Sequence, residues 1–191
     1  MPKRAAKSAG FSFVLAFLLL GAGPGAAAAP GPSAAGVRAA TPSPAAQAAF
    51  ERFRAMEGSW EGRSTKGWQE SISFKTIAGG SAVVETSFDA HPGETMLTVF
   101  HLDGEDLTLT HYCVAKNQPR LRATEISADG RTVAFTFAGG GNLADRNRGH
   151  MDRAVFRFED ADHVSSRWTW YQDGSERWLE EIRLERVPAA R

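Results

Sequence analysis

From residue 58 to the end of the chain, apolar and polar positions alternate in short segments broken by turn residues. Before them, Ala45 to Glu57 (AAQAAFERFRAME) repeats its apolar residues Ala49, Phe50, Phe53 and Met56 near helical spacing, which predicts one short helix ended by Gly58. Strand-like alternation follows. Trp68 to Ile77 carries Ile72 and Phe74 on one face, Gly79-Gly80 breaks it, and Ser81 to Phe88 and Thr95 to Leu102 come next. Asp103-Gly104, Asp129-Gly130 and Asp173-Gly174 each lie between alternating segments, and Asp-Gly is a strong hairpin signal because a type I′ turn needs positive φ. Asp160-Ala161-Asp162 reads as a fourth turn. The pattern predicts about ten strands, spaced as in an all-β sandwich or barrel. Consecutive hairpins without a long crossover favour an up-and-down antiparallel β-barrel preceded by one short helix, with the helix as a lid or plug.

Turn parity assigns faces, since directly opposed residues share one side of a sheet. An even-length turn at Asp103 sets Leu102 against Leu107 and Phe100 against Leu109. Met96, Thr98, Phe100, Leu102, Leu107, Leu109, His111 and Cys113 then share the inward face, and His101 lies outside with Thr108 and Thr110. The same rule at Asp129-Gly130 pairs Ile126 with Val133, Thr124 with Phe135 and Arg122 with Phe137, which aims Arg120 and Arg122 inward. In the last segment Glu181, Arg183 and Glu185 look outward, leaving Trp178, Glu180, Ile182 and Leu184 inside. A simple two-residue turn at Asp173-Gly174 would strand Trp168 and Trp170 outside; a bulge would bring them in. The expected apolar wall of a cavity is Phe74, Phe88, Phe100, Leu109, Phe135 and Phe156.

The front end has a different composition. Lys3, Arg4 and Lys7 precede the apolar block Phe11 to Leu20, and Ala26 to Ala29 follow Gly21-Ala22-Gly23-Pro24. This is the layout of a secretory signal peptide, here residues 1–29, and the apolar block is short for a membrane span. Residues 30–45 are rich in Ala, Pro, Gly and Ser and read as a flexible linker, so the barrel domain is expected over 46–187. Cleavage removes three basic residues and no acid, so 22 basic against 22 acidic residues becomes 19 against 22, a net charge of −3. That balance gives no electrostatic reason to bind nucleic acid or an anionic membrane. No membrane span is expected after cleavage, and oligomeric state is not encoded in any pattern here.

Candidate chemistry centres on Thr110 to Arg120 (THYCVAKNQPR). The single cysteine, Cys113, cannot form an internal disulfide and is a buried thiol, a reactive thiol or an intermolecular partner. His111 and Cys113 lie two apart on one strand face, roughly 7 Å by the strand rise, too far for a nucleophile–base pair. Inward Arg122, with Arg120 nearer the rim, would pair with an internal acid such as Glu180 or grip a ligand carboxylate or phosphate. His150 ends a Gly-rich loop (Gly139-Gly140-Gly141-Asn142 to Arg148-Gly149-His150) that is a candidate portal, though not a phosphate loop. The histidines at 91, 101, 111, 150 and 163 show no metal-binding spacing, so no metal is expected. The ligand-binding candidates are therefore His111, Cys113, Arg120, Arg122 and His150, around a small amphipathic molecule. A cavity enzyme with His111 as general base is the catalytic alternative.

Gly58-x-Trp60-x-Gly62, after a short helix and before a strand meander, resembles the calycin superfamily over about Phe50 to Val187. The resemblance implies a barrel whose bottom is closed by Trp60, packed under a basic residue of the last strand; Arg183 or Arg186 would fit. The Thr-His-Tyr-Cys…Asn-Gln-Pro-Arg stretch and Gly-His-Met-x-Arg are similar to exported bacterial lipocalin-like proteins of unknown function. Nitrobindin-like haem barrels also begin Gly-x-Trp-x-Gly, although they usually continue x-Gly where this chain has Ser64. That likeness implies haem held by a late histidine, here His150 or His163. The exported form is expected to begin at Pro30; intact-mass measurement of protein recovered from the periplasm or medium checks this, and an N-terminal segment still present there would overturn it.

Overall fold

The computed structural model describes residues 41–87 and 95–188. The segments beyond, with Phe88, His91 and residues 1–29, lie outside the described residues. One helix, α1 (Pro44–Ala55), precedes ten strands. They are β1 (Gly58–Ser64), β2 (Gln69–Ile77), β3 (Ala82–Ser87), β4 (Met96–Asp103), β5 (Asp106–Tyr112), β6 (Gln118–Ile126), β7 (Thr132–Gly141), β8 (His150–Phe158), β9 (His163–Gln172) and β10 (Ser175–Arg186). Each strand pairs antiparallel with the next, and β1 closes on β10, so the sheet is a closed up-and-down barrel without edges. Among the described residues no helix is long and apolar enough to cross a membrane.

Local chemistry sets the boundaries. Ser43 caps α1 through its Oγ, which accepts from the Ala46 amide at 3.2 Å, and Pro44 takes the first helical position. The helix thus starts two residues before the expected domain boundary. Asp173 and Gly174 both adopt positive φ (51° and 79°), the type I′ geometry their sequence calls for. At Asp160 the side chain accepts from the Asp162 and His163 amides, both at 2.8 Å, and fixes the β8–β9 turn.

α1 plugs one end. Its Phe53 is fully buried, stacks on Phe100 with centroids 4.2 Å apart, and meets Phe156 and Phe158 edge-on at 5.1 and 5.2 Å. Phe100, Phe135 and Phe156, expected to line a cavity, are instead core packed around this plug, with Leu109 and Leu121 fully buried beside them in the same core. Truncating Phe53 to Ala would cost about 3–5 kcal/mol.

The plug is held by Arg186. Its guanidinium donates to the Ala55 and Glu57 carbonyls at the end of α1, both 2.9 Å, and to Asp162 Oδ1 at 3.0 Å in the β8–β9 turn. It also lies 4.3 Å from the ring centroid of Trp60, whose Nε1 donates to the Met56 carbonyl at 2.7 Å. Arg186 is directly opposite Trp60 in the β1–β10 register. Arg183 is not the partner of Trp60: it opposes Arg63 on the outer face, its side chain is 78% exposed, and it bonds Glu181. Gly62 is required where it stands, since a Cβ there would come within 2.9 Å of Leu184 and 3.0 Å of Ile182. Gly58 adopts φ +127°, a conformation other residues rarely take.

Arg186→Ala is expected to lower stability by about 2–4 kcal/mol, because it leaves helix-end carbonyls without donors. Arg186→Lys should restore only part, and Arg183→Ala should fall within about 0.5 kcal/mol of the parent. Urea unfolding of the three variants checks the order; equal losses at 183 and 186 would overturn it.

Candidate functional site

Opposite the plug lies the end bearing the β1–β2, β5–β6, β7–β8 and β9–β10 connections. Asn117 donates to the Gly149 carbonyl at 2.7 Å and the Asp173 amide to the Asn147 carbonyl at 2.9 Å, which laces three of these connections together. Here the interior opens into a vestibule of about 250 Å³. Its wall is Trp68, Trp170, Trp178, Met96, Met151 and Cys113 with Val114 and Ala115, and Glu70 and Glu180 also line it. Those two carboxylates, with Met96 and Met151, also line a second hollow of about 30 Å³ beneath, completed by Glu85, Ser87, His111, Trp168 and Ile182. The barrel is therefore filled at one end and hollow at the other.

Strand register builds the floor. Phe74, Glu85, Thr98 and His111 form one cross-strand row through β2, β3, β4 and β5. The Asp103 turn has the even length its sequence predicts, so Leu102 meets Leu107, Phe100 meets Leu109, and His111 points inward as expected. His101 lies on the other face, where the Thr108 hydroxyl bonds its Nε2 at 3.1 Å. Glu180 faces inward opposite Trp168, because an extra residue at Arg177 shifts the β9–β10 register and carries Trp168 and Trp170 inside.

Arg120 and Arg122 do not point inward as expected. Ile126 does pair with Val133, but an irregularity between Ala123 and Glu125 inserts Thr124, so Ala123 faces Phe135 and Leu121 faces Phe137. One extra residue inverts every side chain after it. Leu121 is fully buried, while both arginines are exposed on the outer wall, where Arg122 meets Asp106 at 3.4 Å. They cannot anchor a ligand inside the barrel.

His150 is fully buried but lines neither hollow. Arg146 Nη1 donates to its Nε2 at 2.8 Å, and its Nδ1 donates to the Arg148 carbonyl at 2.6 Å. Arg146 itself stacks over Phe137 and Tyr171 and pairs with Asp152. This cluster pins the 142–149 loop rather than opening it as a portal. Cys113 sits at the vestibule wall, and burial pushes its thiol up, away from thiolate. No hydrogen bond joins it to His111, whose Nδ1 is engaged by the Thr98 hydroxyl at 3.0 Å and whose Nε2 has no partner.

The floor is strongly polar for its depth. Glu70, Glu85, Glu180 and His111 are 6%, 5%, 5% and 4% exposed. Ser64 donates to Glu180 at 2.6 Å and Ser87 to Glu85 at 3.3 Å, while Glu85 Oε2 is buried without a partner. Desolvation raises the Glu85 carboxyl from 4.5 to about 7, against the lowering effect of Ser87 and Thr98. Desolvation also lowers His111 from 6.5 to about 4. Glu70 and Glu85 were legible as acids on apolar strand faces: Glu70 shares the parity of Ile72 and Phe74, and Glu85 that of Val83. Of the wall, Met96 and Trp178 were placed inward by the same parity, whereas Trp68 and Met151 carried no comparable signal. Among the described residues no group of three or more His, Cys, Asp or Glu side chains could hold a metal ion.

No family model matches the chain, and no curated protein matches it. Among solved structures it is similar to the crystal structure of Rv2717c from M. tuberculosis, at TM-score 0.52 and 16% identity over 78% of this chain and 100% of that one. At that identity the likeness is one of fold alone.

The two shifted groups act on stability with opposite sign. Glu85 contributes most favourably below pH 4.5 and loses that contribution as pH rises through about 7. His111 contributes above pH 6.5 and loses its contribution as pH falls through about 4. Their slopes cancel between. Glu85→Gln is therefore expected to be more stable than the parent at pH 8 by roughly 1–3 kcal/mol, with no gain near pH 4.5. Urea unfolding at both pH values checks this; an identical difference at both would overturn the desolvation account.

Proposed function

We propose that this chain is an exported binding module whose β-barrel takes a small amphipathic ligand through the end opposite α1. The observation that carries this reading is the asymmetry of the interior. One half is filled by Phe53 and its aromatic neighbours, and the other is a hollow walled by indole and thioether groups over buried polar atoms. Apolar lining with a few convergent polar groups is the usual character of a small-molecule site. The ligand's polar end would lie toward Glu70, Glu180 and His111, not toward the arginines.

The other two readings have less support. A histidine general base needs a pKa near the working pH, and His111 at about 4 is a weak base at neutrality. For haem, the late histidines do not fit. Both nitrogens of His150 are bonded within the protein, and His163 is exposed on the plugged end with its Nδ1 on Asp160 at 2.9 Å.

Binding of a neutral, environment-sensitive naphthalene fluorophore tests the site. Ala115→Trp, which places bulk at the rim, is expected to weaken binding about tenfold or more, equivalent to about 1.4 kcal/mol. Arg122→Ala should leave binding unchanged. Equal affinity in the parent and Ala115→Trp, or a loss only in Arg122→Ala, would overturn the location.

A further inference from the structure

We propose that the ligand of this vestibule is an organic cation, a primary or secondary ammonium on an apolar body, held between the tryptophans and the buried carboxylates. This rests on the reading of the vestibule as a ligand site and specifies the class of molecule it takes.

The charge pattern is the first support. Among the described residues neither hollow is lined by a lysine or arginine, whereas Glu70 and Glu180 line both and Glu85 lines the inner one. A ligand carboxylate or phosphate would meet these acids in a desolvated setting with no lining cation to balance it. An ammonium instead offers N–H donors to the acceptor oxygens of these carboxyl groups.

Aromatic character is the second support. Trp68, Trp170 and Trp178 line the outer hollow, and the faces of indoles attract ammonium groups. Trp170 and Trp178 lie nearly parallel, at 9° with centroids 6.2 Å apart. The Lys66 ammonium already sits 5.9 Å from the Trp178 centroid, so this ring presents a face to a cation within the chain itself.

Third, the inner hollow holds unmet hydrogen-bonding capacity independent of the acids' charge. His111 Nε2 and Glu85 Oε2 are both buried, both without partners, and both belong to residues lining the same space of about 30 Å³. That volume fits one water-sized group. An ammonium bearing N–H bonds can donate there directly or through one water; a quaternary nitrogen cannot donate. Because the described residues hold no set of metal-ligating side chains, an organic cation suits the site better than a metal ion.

The test is calorimetric titration, at neutral pH, of three molecules of one shape: phenylpropylammonium, phenylpropanol and phenylpropanoate. The ammonium is expected to bind at least about tenfold tighter than the alcohol, with the carboxylate weakest. Glu180→Gln and Glu70→Gln should each weaken the ammonium several-fold more than they weaken the alcohol. Trp178→Leu keeps an apolar side chain at the half-exposed wall while removing the indole face, so it gives a second readout if a glutamine variant folds poorly. It should weaken the ammonium more than the alcohol. Alcohol or carboxylate binding as tightly as the ammonium would overturn the cation and leave the binding module standing. Failure of all three, together with failure of the neutral fluorophore, would overturn both.

Discussion

The position of one guanidinium, that of Arg186, determines what the rest of this barrel can be. The group sits on the Trp60 ring and donates to the end of α1 and to the β8–β9 turn. It thereby joins the first strand, the last strand and the helix at one place. Closing a ten-stranded sheet leaves an interior that must be filled or wetted. With α1 fixed there, Phe53 reaches the barrel axis and one half becomes dense aromatic core. The other half receives no plug from the described residues, so any hollow must lie at that end.

Bulges then decide what lines it. A strict alternation would have carried Arg120 and Arg122 inward and left Trp168 and Trp170 outside. Thr124 in β6 and Arg177 in β10 each add one residue and reverse the faces that follow. The first excludes two cations from the interior; the second admits two indoles. Another irregularity, at Asp152 in β8, lies between Met151 of the vestibule wall and the exposed Arg153. The electrostatic character of the site is therefore set less by composition than by where single residues are inserted into a period-two pattern.

This explains how far the sequence could be read. The helix, the strands, the closing order and the inward His111 all follow from periodicity and turn chemistry, which are local. The Asp103 hairpin transmitted its parity without error because β4 and β5 pair without a bulge. The Asp129 hairpin did not, because the insertion at Thr124 has no compositional mark: Ala123-Thr124-Glu125 could equally continue a regular strand. Arg183 and Arg186 could both have met Trp60 by residue type, and only register separates them. His150 was readable as special and misread in role. Its surroundings, Arg146, Phe137 and Tyr171, come together through a loop fold that spacing does not reveal.

The buried acids give the last step. Each of Glu70, Glu85 and Glu180 occupies a position where an apolar residue would satisfy the strand pattern and avoid desolvation. Replacing a buried charge by a well-packed apolar group is often neutral or stabilising. Ser64, Ser87 and Thr98 compensate part of the cost, yet Glu85 still resists ionisation up to about 7. A barrel needing only to fold would gain by filling this end as it fills the other. The same chain that packs Phe53, Phe100, Phe135 and Phe156 into contact at the plugged end leaves carboxylates and an unpartnered imidazole edge at the open one. Both ends share one set of strands, so the contrast goes beyond the plug that α1 supplies. It arises chiefly from which residues occupy equivalent inward positions, and that difference is what the proposed ligand site rests on.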